Sequence, residues 1–199
     1  MYSQNNEEEI ILKYYSIYKP TVTRFLDIGA YNGINFSNTY ELTKRGWGGV
    51  CVEPVDKIFE SLTKTHSEND KIQLIKCAVD DKETEQTFYE CEDATSTFSP
   101  EWRDRWEGAG VKYTTKKLTT VSMDSLFEKI GFDFSFINID VEKNNISLFR
   151  TMDFSKFPLL QLLCIEHDNE NKEIQNHLSE FGFTQLLFNQ ENIILGRKL

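Results

Sequence analysis

Apolar positions along the chain follow two alternating periods. In residues 7–18, Ile10, Ile11, Tyr14, Tyr15 and Tyr18 recur at helical spacing, which predicts an amphipathic leading helix ended by Pro20. Residues 22–28 read as a strand, 29–33 as a turn, and 33–44 as a helix stopped near Arg45-Gly46. Residues 49–53 predict a short buried strand. Val55, Ile58, Phe59 and Leu62 then trace one face of a second amphipathic helix. Residues 72–79 predict a third strand, 86–90 an edge strand and 118–123 another. Ser122 or Asp124 is placed to cap a helix reaching Ile130. Residues 134–140 predict a fourth core strand, and 143–152 a helix with Ile146, Phe149 and Met152 inward. Residues 159–166 are the most apolar run and predict a central strand buried on both faces. Ile174, Leu178 and Phe181 mark a helix closed by Gly182. Residues 183–188 and 192–195 flank Asn189-Gln190-Glu191 as a hairpin.

This alternation from residue 22 to 182 predicts an α/β fold with a mostly parallel sheet and helices on both faces. The closing hairpin adds a final antiparallel strand. Ligands of such sheets sit at the carboxyl ends of the strands. After the first strand, Gly29 permits a tight turn, Gly33 lets a helix start close to the strand, and Asp27 can fix the loop or approach a cation. After the second strand comes Glu53-Pro54, with Glu53 twenty positions beyond Gly33. An acid there can accept hydrogen bonds from both hydroxyls of a ribose. A dinucleotide fingerprint fails, because Tyr31 and Ile34 stand where its second and third glycines belong, and no Gly-Lys-Ser/Thr phosphate loop is present. A nucleoside without a pyrophosphate demand, S-adenosylmethionine, suits the loop better.

The blocks Asp27-Ile-Gly-Ala-Tyr-Asn-Gly33, Val52-Glu-Pro54, Cys77-Ala-Val-Asp-Asp81, Thr120-Val-Ser-Met-Asp-Ser-Leu126 and Ile137-Asn-Ile-Asp-Val-Glu142 occur in this order. In that order the chain resembles the FkbM-type methyltransferases from about residue 24 to 168. The resemblance implies a Rossmann-like class I methyltransferase sandwich with a seven-stranded sheet, and S-adenosylmethionine as cofactor. It implies that Asp27, Gly29, Ala30 and Gly33 shape the methionine end, that Glu53 with Pro54 holds the ribose, and that Ala78 lines the adenine side. Asp140 would lie beside the transferable methyl. It further implies O-methylation of a hydroxyl on a glycan, sugar or small metabolite. Three positions depart from the family pattern: Asn138 stands for a Lys, Lys143 for a Gly and Asn145 for an acid.

Methyl transfer to an alcohol needs the oxygen aligned behind the methyl at roughly 3 Å, and a group to accept the hydroxyl proton. Asp140, Glu142, Glu166 and His167 are the candidates, with Asp140 or His167 favoured as proton acceptor. Asp140, Glu166 and His167 also form a candidate set for Mg²⁺ or Mn²⁺. His66 and His177 are expected on helix surfaces.

Composition narrows the picture. The 199 residues fit one domain, divided here into an N-terminal helix at 1–20 and a methyltransferase domain at 21–199. Residues 91–117 form an insertion expected to act as a lid or acceptor platform. Trp102 and Trp106 would share a helix face there and stack on sugars, with Arg103 and Arg105 for acidic groups. A net charge of −10 argues against general nucleic-acid binding. Asp27, Glu53, Asp140, Glu142 and Glu166 account for part of that charge. Glu7–Glu9 is expected to be solvated surface. No apolar run approaches ~18 residues, so no membrane span is predicted. The acidic N-terminus does not read as a secretory signal. Cys51, Cys77, Cys91 and Cys164 form no metal or disulfide pattern. Cys51, Cys77 and Cys164 read as buried thiols in strands, and a cytoplasmic location follows. Two other readings are a nicotinamide-type Rossmann dehydrogenase and an inactive partner that keeps the fold.

Overall fold

Successive residues of each central strand enter opposite cores, as strand geometry requires. A computed structural model describes residues 1–199. Seven strands form one sheet in the order β3-β2-β1-β7-β8-β10-β9. They are β1 (Arg24–Ile28), β2 (Gly48–Val52), β3 (Ile72–Ile75), β7 (Phe136–Ile139), β8 (Leu162–Glu166), β9 (Thr184–Phe188) and β10 (Asn192–Gly196). β1, β2, β3, β7 and β8 run parallel, and β10 runs antiparallel to both β8 and β9. The chain therefore has the mostly parallel sheet and antiparallel hairpin strand that the pattern predicts. Strand order reverses between β1 and β7, which opens a crevice at their carboxyl ends.

On one face Leu26, Ile28, Ile137, Ile139, Leu163 and Ile165 meet α5 (Met123–Ile130), α6 (Asn145–Thr151) and α7 (Asn171–Ser179). On the other Phe25, Cys51, Phe136, Leu162 and Cys164 meet α1 (Glu7–Ile17), α2 (Tyr40–Lys44) and α3 (Asp56–Thr65). Ile11, Tyr14 and Tyr15 of α1 are buried in this second core, and Tyr15 Oη donates to the Ser135 carbonyl at 2.8 Å. The leading helix is thus part of the packed body.

Several expectations need correction. Residues 33–39 are not helical, and α2 is a five-residue remnant. Gly33 (φ 78°) and Phe36 (φ 60°) adopt left-handed backbone, and Asn32 Oδ1 accepts from the Ile34 and Asn35 amides. Short polar side chains that bond their own backbone compete with helix in this way. The expected third strand breaks at Lys76-Cys77. Its second half becomes β4 (Ala78–Asp80) and leaves the main sheet for β6 (Thr114–Ser122). β5 (Glu85–Glu90) pairs antiparallel with the other side of β6. The last residues of the expected insertion, from Thr114 on, therefore belong to β6. Ser122 caps α5 by accepting from the Ser125 amide at 3.2 Å. The run at 159–166 is a strand only from Leu162.

Glu7 and Glu8 are 0% and 6% exposed, not solvated. His66 is buried at the end of α3, and His177 packs among Phe149, Phe154 and Phe181. Neither is a free surface residue. All four cysteines are thiols, but Cys77 and Cys91 lie outside strands. No helix is long and apolar enough to cross a membrane.

Candidate active site

The loops after β1, β2 and β7 enclose a cleft of about 950 Å³, counting the space open to solvent. Gly29 makes this closure work. Its φ is 83°, and a Cβ there would lie 1.7 Å from the Asp140 carbonyl oxygen. Only glycine lets the β1 loop pass the end of β7 at this distance. Gly33 serves elsewhere: a Cβ there would strike Leu62 of α3 and His66 just after it, so it packs the loop rather than lining the cleft.

Asp27, Gly29, Ala30, Glu53, Pro54, Ala78, Asp140 and Glu142 all line the cleft. Glu53 follows β2, and its two oxygens accept from the Tyr31 amide at 3.2 Å and the Val55 amide at 2.8 Å. Burial pushes this carboxyl up to about 7, against the pull of those two N–H groups. Asp27 is 2% exposed, and burial raises it too. Thr39 Oγ1 donates to it at 2.6 Å and Asn138 Nδ2 at 2.8 Å. Asn38 Nδ2 in turn donates to Asn138 Oδ1 at 3.0 Å, while Asn38 Oδ1 is buried without a partner. Residue 138 is directly across from Asp27 in the β1–β7 register. The departure at that position thus builds a neutral amide relay beside a buried acid.

Asp140 stands at the end of β7. Removal from water raises it well above the usual carboxylate range, and the charges of Glu166 and Glu142 add to this. Glu142 is pushed up to about 8 by burial first and by Glu166 second, opposed by the Trp102 indole, which donates to it at 2.7 Å. Glu166 does not line the cleft. It accepts from Asn145 Nδ2 at 2.7 Å, and burial followed by Asp168 raises it to about 7. Asn145 also accepts from the Val141 amide at 2.8 Å, so it ties the ends of β7 and β8 together. Lys143 bonds Asp168 at 2.8 Å and lies 4.4 Å from the Trp102 ring centroid.

His167 is placed otherwise than expected. Its Nδ1 accepts from the Asn169 amide at 3.0 Å, its Nε2 meets the Asn189 carbonyl at 3.3 Å, and it packs on Phe188. Both ring nitrogens serve the loop, and the ring is outside the cleft. Asp140, Glu166 and His167 do not converge as a metal set, and no other group of three His, Cys, Asp or Glu side chains does.

The insertion contributes differently from the expectation. Asp93, Ala94, Ser96 and Phe98, ahead of α4 (Pro100–Gly108), form a wall of the cleft. Trp102 is fastened to the β7 loop through Glu142, and Arg105 covers its ring at 4.5 Å. Sequence reasoning also missed Tyr31, Asn35, Phe36, Asn38 and Gln4 as lining residues. Phe36 carries one readable signal, an apolar ring among Asn and Ser; it is 52% exposed.

The model of the methyltransferase FkbM domain matches residues 27–187. This chain belongs to the FkbM methyltransferase family. As an FkbM-domain protein it is a methyltransferase dependent on S-adenosylmethionine, and the dehydrogenase reading falls away. The METTL16 MTase domain is similar at a TM-score of 0.53 and 16% identity, over 98% of this chain and 66% of that one. A protein of the NADB-Rossmann superfamily from Streptococcus agalactiae is similar at 0.50 and 14%, over 100% and 71%. The ribosomal protein L11 methylase of Lactobacillus delbrueckii subsp. bulgaricus is similar at 0.50 and 12%, over 98% and 81%. At these identities the likeness concerns the fold. No curated protein matches the FkbM-domain chain.

Proposed function

We propose that this methyltransferase acts on a hydroxyl oxygen of a sugar, a glycan or another small polar metabolite. The observation that carries the reading is Asp140, a carboxylate on the cleft floor with raised proton affinity and no hydrogen-bond donor from the protein. A carboxylate in that condition accepts a hydroxyl proton more readily than an ordinary one.

The lining fits the cofactor. Each Glu53 oxygen accepts one backbone bond and keeps a lone pair for a ribose hydroxyl. Ile58, Ala78, Val79 and Phe88 offer an apolar wall for a purine. Asp27, the acid that β1 brings to the lining, suits a cationic end. S-adenosylmethionine supplies, when bound, a methyl group on a positively charged sulfur. The protein does the rest. Asp140 accepts the hydroxyl proton, and Glu142, held by Trp102, orients the acceptor beside it. Glu166 is a positioning residue that acts through Asn145. The lining holds Asp27, Glu53, Asp93, Asp140 and Glu142 but no Lys, Arg or His, which disfavours anionic acceptors and nucleic acid. The free thiols favour a cytoplasmic setting.

The test is calorimetry with S-adenosylhomocysteine and NAD, then a radiolabelled methyl-transfer screen over neutral glycans and hydroxylated metabolites. Asp140→Asn should lower the transfer rate about 100-fold while keeping S-adenosylhomocysteine affinity. Full activity in that variant removes Asp140 from the reaction.

A further inference from the structure

The first eight residues precede the family-matched segment, yet they reach the cleft. Gln4 is one of its lining residues. The segment is held at both ends. Tyr2 packs edge-on against Tyr40 with ring centroids 4.7 Å apart, and Lys44 lies 5.3 Å over the Tyr2 ring. At the other end Glu191, in the β9–β10 turn, accepts from Gln4 Nε2 at 3.0 Å and from Asn5 Nδ2 at 2.9 Å. Beneath, the fully buried Glu7 accepts from the Asn5 amide at 2.8 Å, Asn189 Nδ2 at 2.7 Å and Asn192 Nδ2 at 3.0 Å. Burying a carboxylate is costly unless donors compensate it, and here three do. The product of that arrangement is a strap running from α2 to the hairpin turn.

The Glu191 contact determines the orientation of the Gln4 amide. A carboxylate only accepts, so Nε2 must face Glu191 and Oε1 is left as an acceptor with no protein donor. Gln4 shares the cleft lining with Asp27 and with Asn35–Asn38 of the loop that leads to α2, the helix on which Tyr2 packs. The Gln4 oxygen, free of a donor, and the acid Asp27 then belong to one lining, and the group that suits such a pair is a cationic N–H donor.

We infer that Gln4 is a binding residue of this site, its Oε1 accepting from the ammonium at the amino-acid end of the cofactor. This rests on the cofactor reading above. Gln4 is exposed, so Gln4→Ala should fold with an unchanged melting temperature. Calorimetry would compare S-adenosylhomocysteine with 5′-methylthioadenosine, which lacks the amino-acid end. We expect Gln4→Ala to weaken S-adenosylhomocysteine about five- to tenfold and 5′-methylthioadenosine less than twofold. No loss for either ligand, or equal loss for both, overturns the assignment of Gln4. Wild-type protein that binds neither ligand overturns instead the cofactor reading on which it rests.

Discussion

The two faces of the central sheet are built from the same strands and differ in what they tolerate. On the α5–α6–α7 face, the inward residues Leu26, Ile28, Ile137, Ile139, Leu163 and Ile165 are aliphatic to the strand ends. On the α1–α2–α3 face two central strands begin apolar and then change: Phe25 is followed by Asp27, and Phe136 by Asn138. There, Asp27, Asn138, Asn38 and Thr39 form a buried hydrogen-bonded chain beneath the cleft. One face is made for stability. The other gives up apolar packing at its carboxyl end to hold a binding site.

The sharpest way to break this contrast is Phe127→Ala. The ring is 2% exposed and packs against Phe132 and Phe157. Its loss should cost about 3–5 kcal/mol in urea unfolding, with S-adenosylhomocysteine affinity nearly unchanged below the transition. Gly29→Ala should cost less in stability, about 2–3 kcal/mol, because a side chain at φ 83° is strained and meets the Asp140 carbonyl. Here calorimetry should also show at least a tenfold loss of affinity, because the loop must move. Glu53→Ala should weaken the cofactor by ~1–3 kcal/mol through lost charged hydrogen bonds. Its unfolding midpoint at neutral pH should hold or rise, since burial of that carboxylate is unfavourable.

The last comparison is in pH. The carboxyls of Glu53 and Glu166 are raised to about 7 and that of Glu142 to about 8. An acid raised on folding stabilises the native state fully below its unfolded value near 4.5, and that contribution is lost as pH rises through the folded value. The melting temperature of the ligand-free protein should therefore fall gradually from about pH 5 to pH 8. A sulfonium ligand prefers the ionised cluster, so affinity for S-adenosylmethionine should rise over the upper part of that range. Flat profiles for both would show that these acids are more hydrated than their burial implies.

Much of the fold was legible because local pattern and tertiary demand agree. Residues 134–140 read as a core strand, and Phe136–Ile139 is one. The Asn-Gln-Glu hairpin turn reads correctly because Asn189 Oδ1 caps it through the Glu191 and Asn192 amides. Where reading failed, a long-range partner decided. Residues 33–39 leave the helix with the local help of Asn32, which bonds the Ile34 and Asn35 amides, and Asn38 is held away from it by Asn138, a hundred residues distant. Residues 78–80 continue an apolar run, yet their partners lie on β6. Glu7 looks like one member of an acidic helix start until Asn189 and Asn192 are found on it.

The candidate site divides in the same way. By itself the sequence determined that acids and glycines stand at strand ends, because strand periodicity and turn chemistry are local and Asp27, Gly29, Glu53 and Asp140 carry both. Only the tertiary structure decided which of them share a cleft. It placed His167 and Glu166 behind the site, brought Gln4 and residues 93–98 to its edge, and showed Gly29 to be a point of contact with Asp140. The reason is physical: hydrogen-bond satisfaction and desolvation depend on atoms far apart in the chain, and no spacing rule along the sequence records them.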